Sequence, residues 1–280
     1  MGNQREYLVS RLFSRNTIRE LLENGPNLLF NNIIQDMDKE CNSNLEVIQE
    51  SYKWLDKSYR NEYFYKNTLL NKLLLGVHSV NTTTALTEIP VGGAKPDFIL
   101  INGKAIVYEI KTELDNFERL ERQINEYYKA FDHVAIVTYM RNIDAVLSKI
   151  SCIDKPVGLF ILQKNNRLKT IIKPSEYRKD IDREVIFKIL RKKEYENIIK
   201  CNFGELPEVS QFEYYDECKR LSYEISLDKF YLDFLKELKK RVKVKEDYFK
   251  LVPKELKFLV YFMDFKIGDY QLLKQFLYGK

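Results

Sequence analysis

The stretch Lys95-Pro96-Asp97-Phe98-Ile99-Leu100-Ile101-Asn102-Gly103-Lys104-Ala105-Ile106-Val107-Tyr108-Glu109-Ile110-Lys111 decides the fold. It contains two runs rich in β-branched residues joined by Asn-Gly, the strongest short-range signal for a β-hairpin. Asp97 then opens one strand and Glu109 closes the next, and an antiparallel hairpin folds the two positions beside each other. Side chains alternate faces along a strand, so Glu109 and Lys111 share one face and Ile110 points to the other. Two carboxylates and an amine converge at one end of an otherwise apolar hairpin. Carboxylates so placed repel and call for a cation, and a hard divalent ion with oxygen ligands, Mg2+ or Mn2+, suits them.

Downstream, residues 116–131 have helical spacing, with Leu120, Ile124, Tyr127 and Tyr128 as the inward stripe. Gln123 and Tyr127 stand at i and i+4 and share a face. Tyr127 alone reads equally as a core aromatic. A Gln beside it needs a hydrogen-bonding partner if buried.

Pro96-Asp97, a short gap, Glu109-Ile110-Lys111 and then Gln123-x-x-x-Tyr127 on the next helix together resemble the PD-(D/E)xK nuclease superfamily, with the extra Gln-x-x-x-Tyr motif of its RecB-like branch. Residues 61–138 are more narrowly similar to the sce7726-type proteins assigned to that superfamily. The resemblance implies a restriction-endonuclease-like α/β core with a mixed central sheet flanked by helices, and a Mg2+- or Mn2+-dependent nuclease, most simply a deoxyribonuclease. It implies that Asp97, Glu109 and the main-chain carbonyl of Ile110 hold the metal and that Lys111 orients or deprotonates a water. It also implies that Gln123 and Tyr127 line the edge of the pocket. Nucleases of this kind carry a Glu on the helix before the first strand, and Glu62 is the residue here that matches as metal or water ligand. Glu62 also reads as an ordinary first-turn Glu favoured by the helix dipole. Lys66, one turn on, could pair with it or meet a phosphate. The rival expectation is a catalytically silent nucleic-acid-binding or protein-interaction module on the same fold.

Around this core the pattern predicts one helix or two over residues 5–24, ended by Asn24-Gly25-Pro26. A further helix is predicted over 43–55, with Ser43 as cap and Glu46 three residues on. The 61–75 helix comes next, then a polar loop that carries His78. A strand is predicted over 85–91 with Glu88 in its middle, either as a further site carboxylate or as an outward-facing residue. Strands follow at 133–138, 157–163 and 168–172, with a helix at 143–150. After Pro174 strand signals fade, and helices are predicted at 181–200, 226–242 and 254–277. The organisation expected is a helical arm (1–58), a nuclease-like core (59–175) and an α-helical C-terminal region (176–280).

Composition bounds the rest. The 280 residues suffice for one large domain or two small ones, and 45% hydrophobic with 31% charged residues is ordinary for a globular chain. The net charge of +5 is compatible with nucleic acid, DNA above all, as partner. The most basic patch holds Lys236, Lys239, Lys240, Arg241, Lys243, Lys245 and Lys250, either a solvated face or a phosphate-backbone contact. No run approaches the roughly 20 apolar residues of a membrane span, and residues 1–6 lack the apolar core of a secretory signal, so a cytoplasmic protein is expected. A homo-oligomer is compatible with the pattern. Cys41, Cys152, Cys201 and Cys218 form no short clip and read as free thiols rather than cluster ligands. The Lys- and Asn-rich, Pro-poor composition fits an AT-rich bacterial or phage genome.

Overall fold

The computed structural model describes residues 2–76, 80–113 and 115–279. In chain order, helices α1 (Gly2–Leu12), α2 (Arg15–Asn24), α3 (Leu28–Gln35), α4 (Asn44–Ser58) and α5 (Glu62–Leu69) come first, and α5 runs on into a π-helical segment, Leu70–Leu75. Strands β1 (Thr84–Leu86), β2 (Phe98–Asn102) and β3 (Lys104–Lys111) follow, then α6 (Leu120–Tyr127), β4 (His133–Thr138), α7 (Ile143–Ile150), β5 (Val157–Leu162) and β6 (Leu168–Ile172). The remainder is helical: α8 (Arg183–Ile189), α9 (Lys192–Phe203), α10 (Tyr214–Ser222), α11 (Leu227–Lys239), α12 (Glu246–Lys250), α13 (Lys257–Phe262) and α14 (Ile267–Tyr278). Where the sequence suggests three consecutive segments, chain contacts group the residues into two compact units: Met1–Asn81 with Val242–Lys280, and Thr82–Arg241. The helical C-terminal third is thereby divided between them.

The second unit is α/β, built on a six-stranded mixed sheet in the order β1-β2-β3-β4-β5-β6 and flanked by helices. The β1-β2, β2-β3 and β5-β6 pairs are antiparallel, and β3-β4 and β4-β5 are parallel. Strands β4 and β5 are buried along their whole length, as their apolar runs require, and β1, β2 and β3 are buried along most of theirs. The short β1 and the half-exposed β6, with Lys169 on it, close the two edges. The β2-β3 hairpin turns at Gly103, whose φ of 73° lies in the left-handed region that glycine tolerates. Its register pairs Phe98 with Tyr108, and one step further sets Asp97 opposite Glu109.

Three expectations for this unit change. The strand predicted over 85–91 ends at Leu86, and Glu88 is not in a strand: its φ is 54°, and its N–H donates to the Pro96 carbonyl at 2.9 Å. The helix predicted from residue 116 begins at Leu120, because Asn116 spends its side chain on the Glu118 N–H in a local turn. Helices α8 to α11 pack through aromatic rings, with Phe187 stacked on Tyr195 at 5.1 Å and Phe230 at 6.5 Å. The helix predicted over 181–200 is broken at Leu190, whose ψ of 136° is extended.

At the N-terminal end of β4, buried Asp132 gathers His133 Nδ1 at 2.8 Å and Arg178 Nη2 at 3.2 Å, while its N–H donates to the Tyr231 hydroxyl at 3.1 Å. Burial pushes the Asp132 carboxyl up, but His133, Tyr231 and Arg178 outweigh it and hold the carboxyl below its ordinary value of 3.8. A carboxyl whose folded pKa is depressed adds stability at pH values above the unfolded pKa and loses it as pH falls through the folded one. Asp132→Asn is therefore expected to cost about 2 kcal/mol at pH 7 and to flatten the loss of stability below pH 3.8, read by urea unfolding at a series of pH values.

The first unit is all helical. Four of its helices start on a side-chain cap: Ser14, Asn27, Ser43 and Asn61 accept from the N–H groups of Thr17, Phe30, Glu46 and Phe64. Each such cap contributes about 1 kcal/mol. Helix α3 was not expected from the sequence. Buried Asn67 ties α5 to the C-terminal segment of the unit: its amide donates to the Tyr52 hydroxyl (2.9 Å) and the Lys254 carbonyl (3.0 Å), and its Oδ1 accepts from Phe258 N–H (3.0 Å). The helix predicted over 254–277 is interrupted before Ile267, where Asp264 takes a φ of 52°. All four cysteines are free thiols. No described helix is long and apolar enough to cross a membrane.

Candidate active site

The site is built at the C-terminal end of β3. Alternation along that strand sends Glu109 and Lys111 to the same face, and Lys111 Nζ lies 3.0 Å from Glu109 Oε1. Both are buried, Glu109 at 2% exposure and Lys111 at 7%. Helix α6 covers them. Its Gln123 accepts from Lys111 Nζ at 3.0 Å and donates through Nε2 to Glu109 Oε1 at 2.6 Å. One turn on, the Tyr127 hydroxyl lies 2.6 Å from Glu109 Oε2 and 3.2 Å from the Lys95 carbonyl. A phenol has one proton, and the shorter, charge-assisted contact to Glu109 takes it. Asp97 sits across the hairpin, where its Oδ2 accepts from the Ile110 N–H at 2.8 Å.

Five of the six side chains singled out from the sequence, Asp97, Glu109, Lys111, Gln123 and Tyr127, thus form one network, with Ile110 in it through its main chain. Glu62 belongs to the other unit, where it is ion-paired with Lys66 within α5. His78 lies outside the described residues.

Electrostatics fix two roles. Burial raises the Tyr127 pKa first, and the nearby negative charges of Glu109 and Asp97 raise it further, so the phenol stays protonated and acts as a donor. Lys111 offers three N–H bonds, of which Glu109 and Gln123 take two. The third has no partner among the described residues.

The cluster brings two carboxylates, Asp97 and Glu109, together with the Lys111 ammonium. Among the described residues no three His, Cys, Asp or Glu side chains group as a metal site. The cluster offers the Asp97 and Glu109 carboxylates instead, oxygen donors of the kind a hard divalent ion takes. Glu109 Oε1 accepts from Lys111 and Gln123 and Oε2 from Tyr127 alone, which leaves Oε2 a lone pair for an ion.

Residues missed from the sequence adjoin this network. The Gly93 N–H donates to Glu126 Oε2 at 3.1 Å, and Arg122 Nη2 donates to the Gly93 carbonyl at 3.0 Å. Both side chains are on α6 at i and i+4, a spacing that could have flagged them. Lys129, above all, and the Gly93 N–H hold the Glu126 carboxyl below its ordinary pKa. The basic patch over 236–250 is largely consumed within the fold: Lys236 pairs with Asp233, Lys240 with Glu237, Arg241 with Glu194 and Lys250 with Glu246.

Among known proteins, the family model of bacteriophage P4 protein cII matches residues 56–257. A solved structure described as the SPO1766 protein of unknown function from Silicibacter pomeroyi is similar at 14% identity and a TM-score of 0.30, covering 47% of this chain and 87% of that one. No curated protein matches the chain.

Proposed function

The chain belongs to the bacteriophage P4 protein cII family, and we propose that in this member the sheet unit is a restriction-endonuclease-like, metal-dependent nuclease acting on phosphodiester bonds, most simply those of DNA. One observation carries the proposal. Asp97, Glu109, Lys111, Gln123 and Tyr127, spread over 31 positions of sequence, meet in one half-buried network that brings two carboxylates to one end of the hairpin. A purely structural ion pair between Glu109 and Lys111 needs no second carboxylate beside it.

Asp97, Glu109 and the Ile110 carbonyl would hold Mg2+ or Mn2+. When bound, such an ion supplies Lewis-acid polarisation of a phosphate oxygen and lowers the pKa of a coordinated water. The protein's own groups do the remainder. Lys111 directs its third N–H at the water or at a phosphate oxygen and offsets charge that grows as water oxygen bonds to phosphorus and the ester P–O bond breaks. Gln123 holds Lys111 and Glu109 in register. Tyr127, kept protonated, stays a donor to Glu109 and leaves the base role to others. Cytoplasmic DNA of a phage or its host is the substrate we propose, in defence, repair or mobile-element biology.

The test is cleavage of plasmid and linear DNA by the purified chain with Mg2+ or Mn2+, against the same reaction with EDTA. Metal-dependent nicking or degradation is expected, and no cleavage of either substrate contradicts the proposal. A second reading rests on the engagement of both Glu109 oxygens by Lys111, Gln123 and Tyr127: a closed network suits a silent binding module. Calorimetry separates the two, since DNA or metal binding without turnover favours the module.

A further inference from the structure

Helix α6 grips two separate pieces of the site. Gln123 and Tyr127 hold Glu109 and Lys111 on β3, as described. On the neighbouring stripe, Arg122 and Glu126 hold the turn that precedes Asp97. That turn is closed by paired main-chain bonds between Val91 and Ala94, at 2.8 and 3.0 Å, around Gly92 and Gly93. Gly92 has a φ of 53°, and a Cβ added there would fall 1.8 Å from Glu126 Oε2, so the turn and the carboxylate fit together only without a side chain. Glu126 is itself held by Lys129 at 2.7 Å. From Gly93 the chain runs four residues to Asp97, fixed on the way by the Pro96 carbonyl, which accepts from Glu88 N–H.

We propose that Arg122 and Glu126 are positioning residues: by clamping the Gly92–Gly93 turn to α6 they set where Asp97 stands relative to Glu109, and so tune the affinity of the site for a divalent cation. Both ends of the Gly93 peptide unit are taken, its N–H by Glu126 and its carbonyl by Arg122. Such a two-point grip fixes orientation as well as distance. The same helix then carries both carboxylates' supports, which makes their separation a property of one rigid element rather than of a loop. The cation part of this inference rests on the nuclease proposal; the placement of Asp97 does not.

The experiment therefore has two readouts on the full chain. The first is Mn2+ affinity by calorimetry. Removing an outer support of a metal ligand typically weakens binding about 10- to 100-fold, and Arg122→Ala, Glu126→Ala and Gly92→Ala are each expected to weaken Mn2+ binding about tenfold. Glu126→Gln, which keeps an oxygen acceptor for the Gly93 N–H, is expected to stay near wild type. The second is hydrogen exchange of the Ile110 amide, whose acceptor is Asp97 Oδ2. It is expected to quicken in the three clamp-breaking variants while the Val137 amide in the neighbouring strand does not, which separates a shift of Asp97 from general loosening. Unchanged Ile110 exchange in all three variants overturns the inference. A wild type that binds no Mn2+ but shows the Ile110 effect leaves the clamp standing and removes the nuclease proposal.

Discussion

Asp97→Ala is expected to lower metal-dependent DNA cleavage by about 10³-fold or more. A ligand that helps hold the ion supplies several kcal/mol to the transition state, and about 4 kcal/mol corresponds to that factor. The loss should fall on kcat as much as on KM, because the ion acts on the reacting phosphate and not on remote parts of the strand. Asp97 also accepts from the N–H of buried Ile110, so the variant leaves that amide without its acceptor and should lose about 1–2 kcal/mol of stability. Asp97→Asn separates the two effects. Its amide oxygen can still accept from Ile110, so stability should largely return while cleavage stays lost. Cutting that survives Asp97→Ala would trace to another site.

Lys111→Ala is expected to remove cleavage and also to destabilise the sheet unit by about 3 kcal/mol in metal-free buffer. Glu109 is 2% exposed, and Lys111 Nζ at 3.0 Å is the ammonium that compensates it. Breaking a buried pair from one side leaves the other charge without its counter-ion, which costs more than the pair itself contributes. Gln123 and Tyr127 still donate to Glu109, which limits the damage. The variant has a distinguishing signature: Mg2+ or Mn2+ should raise its melting temperature more than it raises that of wild type. In the variant the divalent ion replaces a missing charge, whereas in wild type it meets a Glu109 already compensated by the Lys111 ammonium. Equal shifts in the two proteins would mean that the ion does not sit beside Glu109.

Much of this site was legible before any coordinates, for a simple reason. Strand alternation and a two-run hairpin with Asn-Gly between are local rules, and they alone bring Asp97, Glu109 and Lys111 to one place. Likewise Gln123 and Tyr127 needed only the i, i+4 rule and a helix that packs on β3. Strands His133–Thr138 and Leu168–Ile172 and helix Ile143–Ile150 fall where apolar runs and turn residues put them. What escaped depends on non-local or main-chain partners. Glu88 has a left-handed φ of 54° at a residue type that gives no warning of it, and this cut the predicted strand short. The Arg122–Glu126 pair was not singled out, because its partners are the N–H and carbonyl of one glycine. Helix α3 was hidden behind Gly25-Pro26, although Asn27 was there to cap it. The lysines over 236–250 looked like one basic patch, yet they fall in two units and four of the seven basic groups meet carboxylates that the linear sequence leaves three to 47 positions away.

The family assignment and the site stand at different levels. The match over residues 56–257 covers all of the α/β unit and about a third of the helical one. It carries no chemistry with it. The chemistry comes from five side chains and their distances, and it concentrates on whether an ion binds beside two carboxylates.

Crystals soaked in Mn2+ and recorded at the manganese absorption edge test this most directly. The account predicts an anomalous peak between the Asp97 and Glu109 carboxylates, within bonding distance of both. A fully soaked crystal with no peak there, or with manganese only at surface carboxylates, would contradict it.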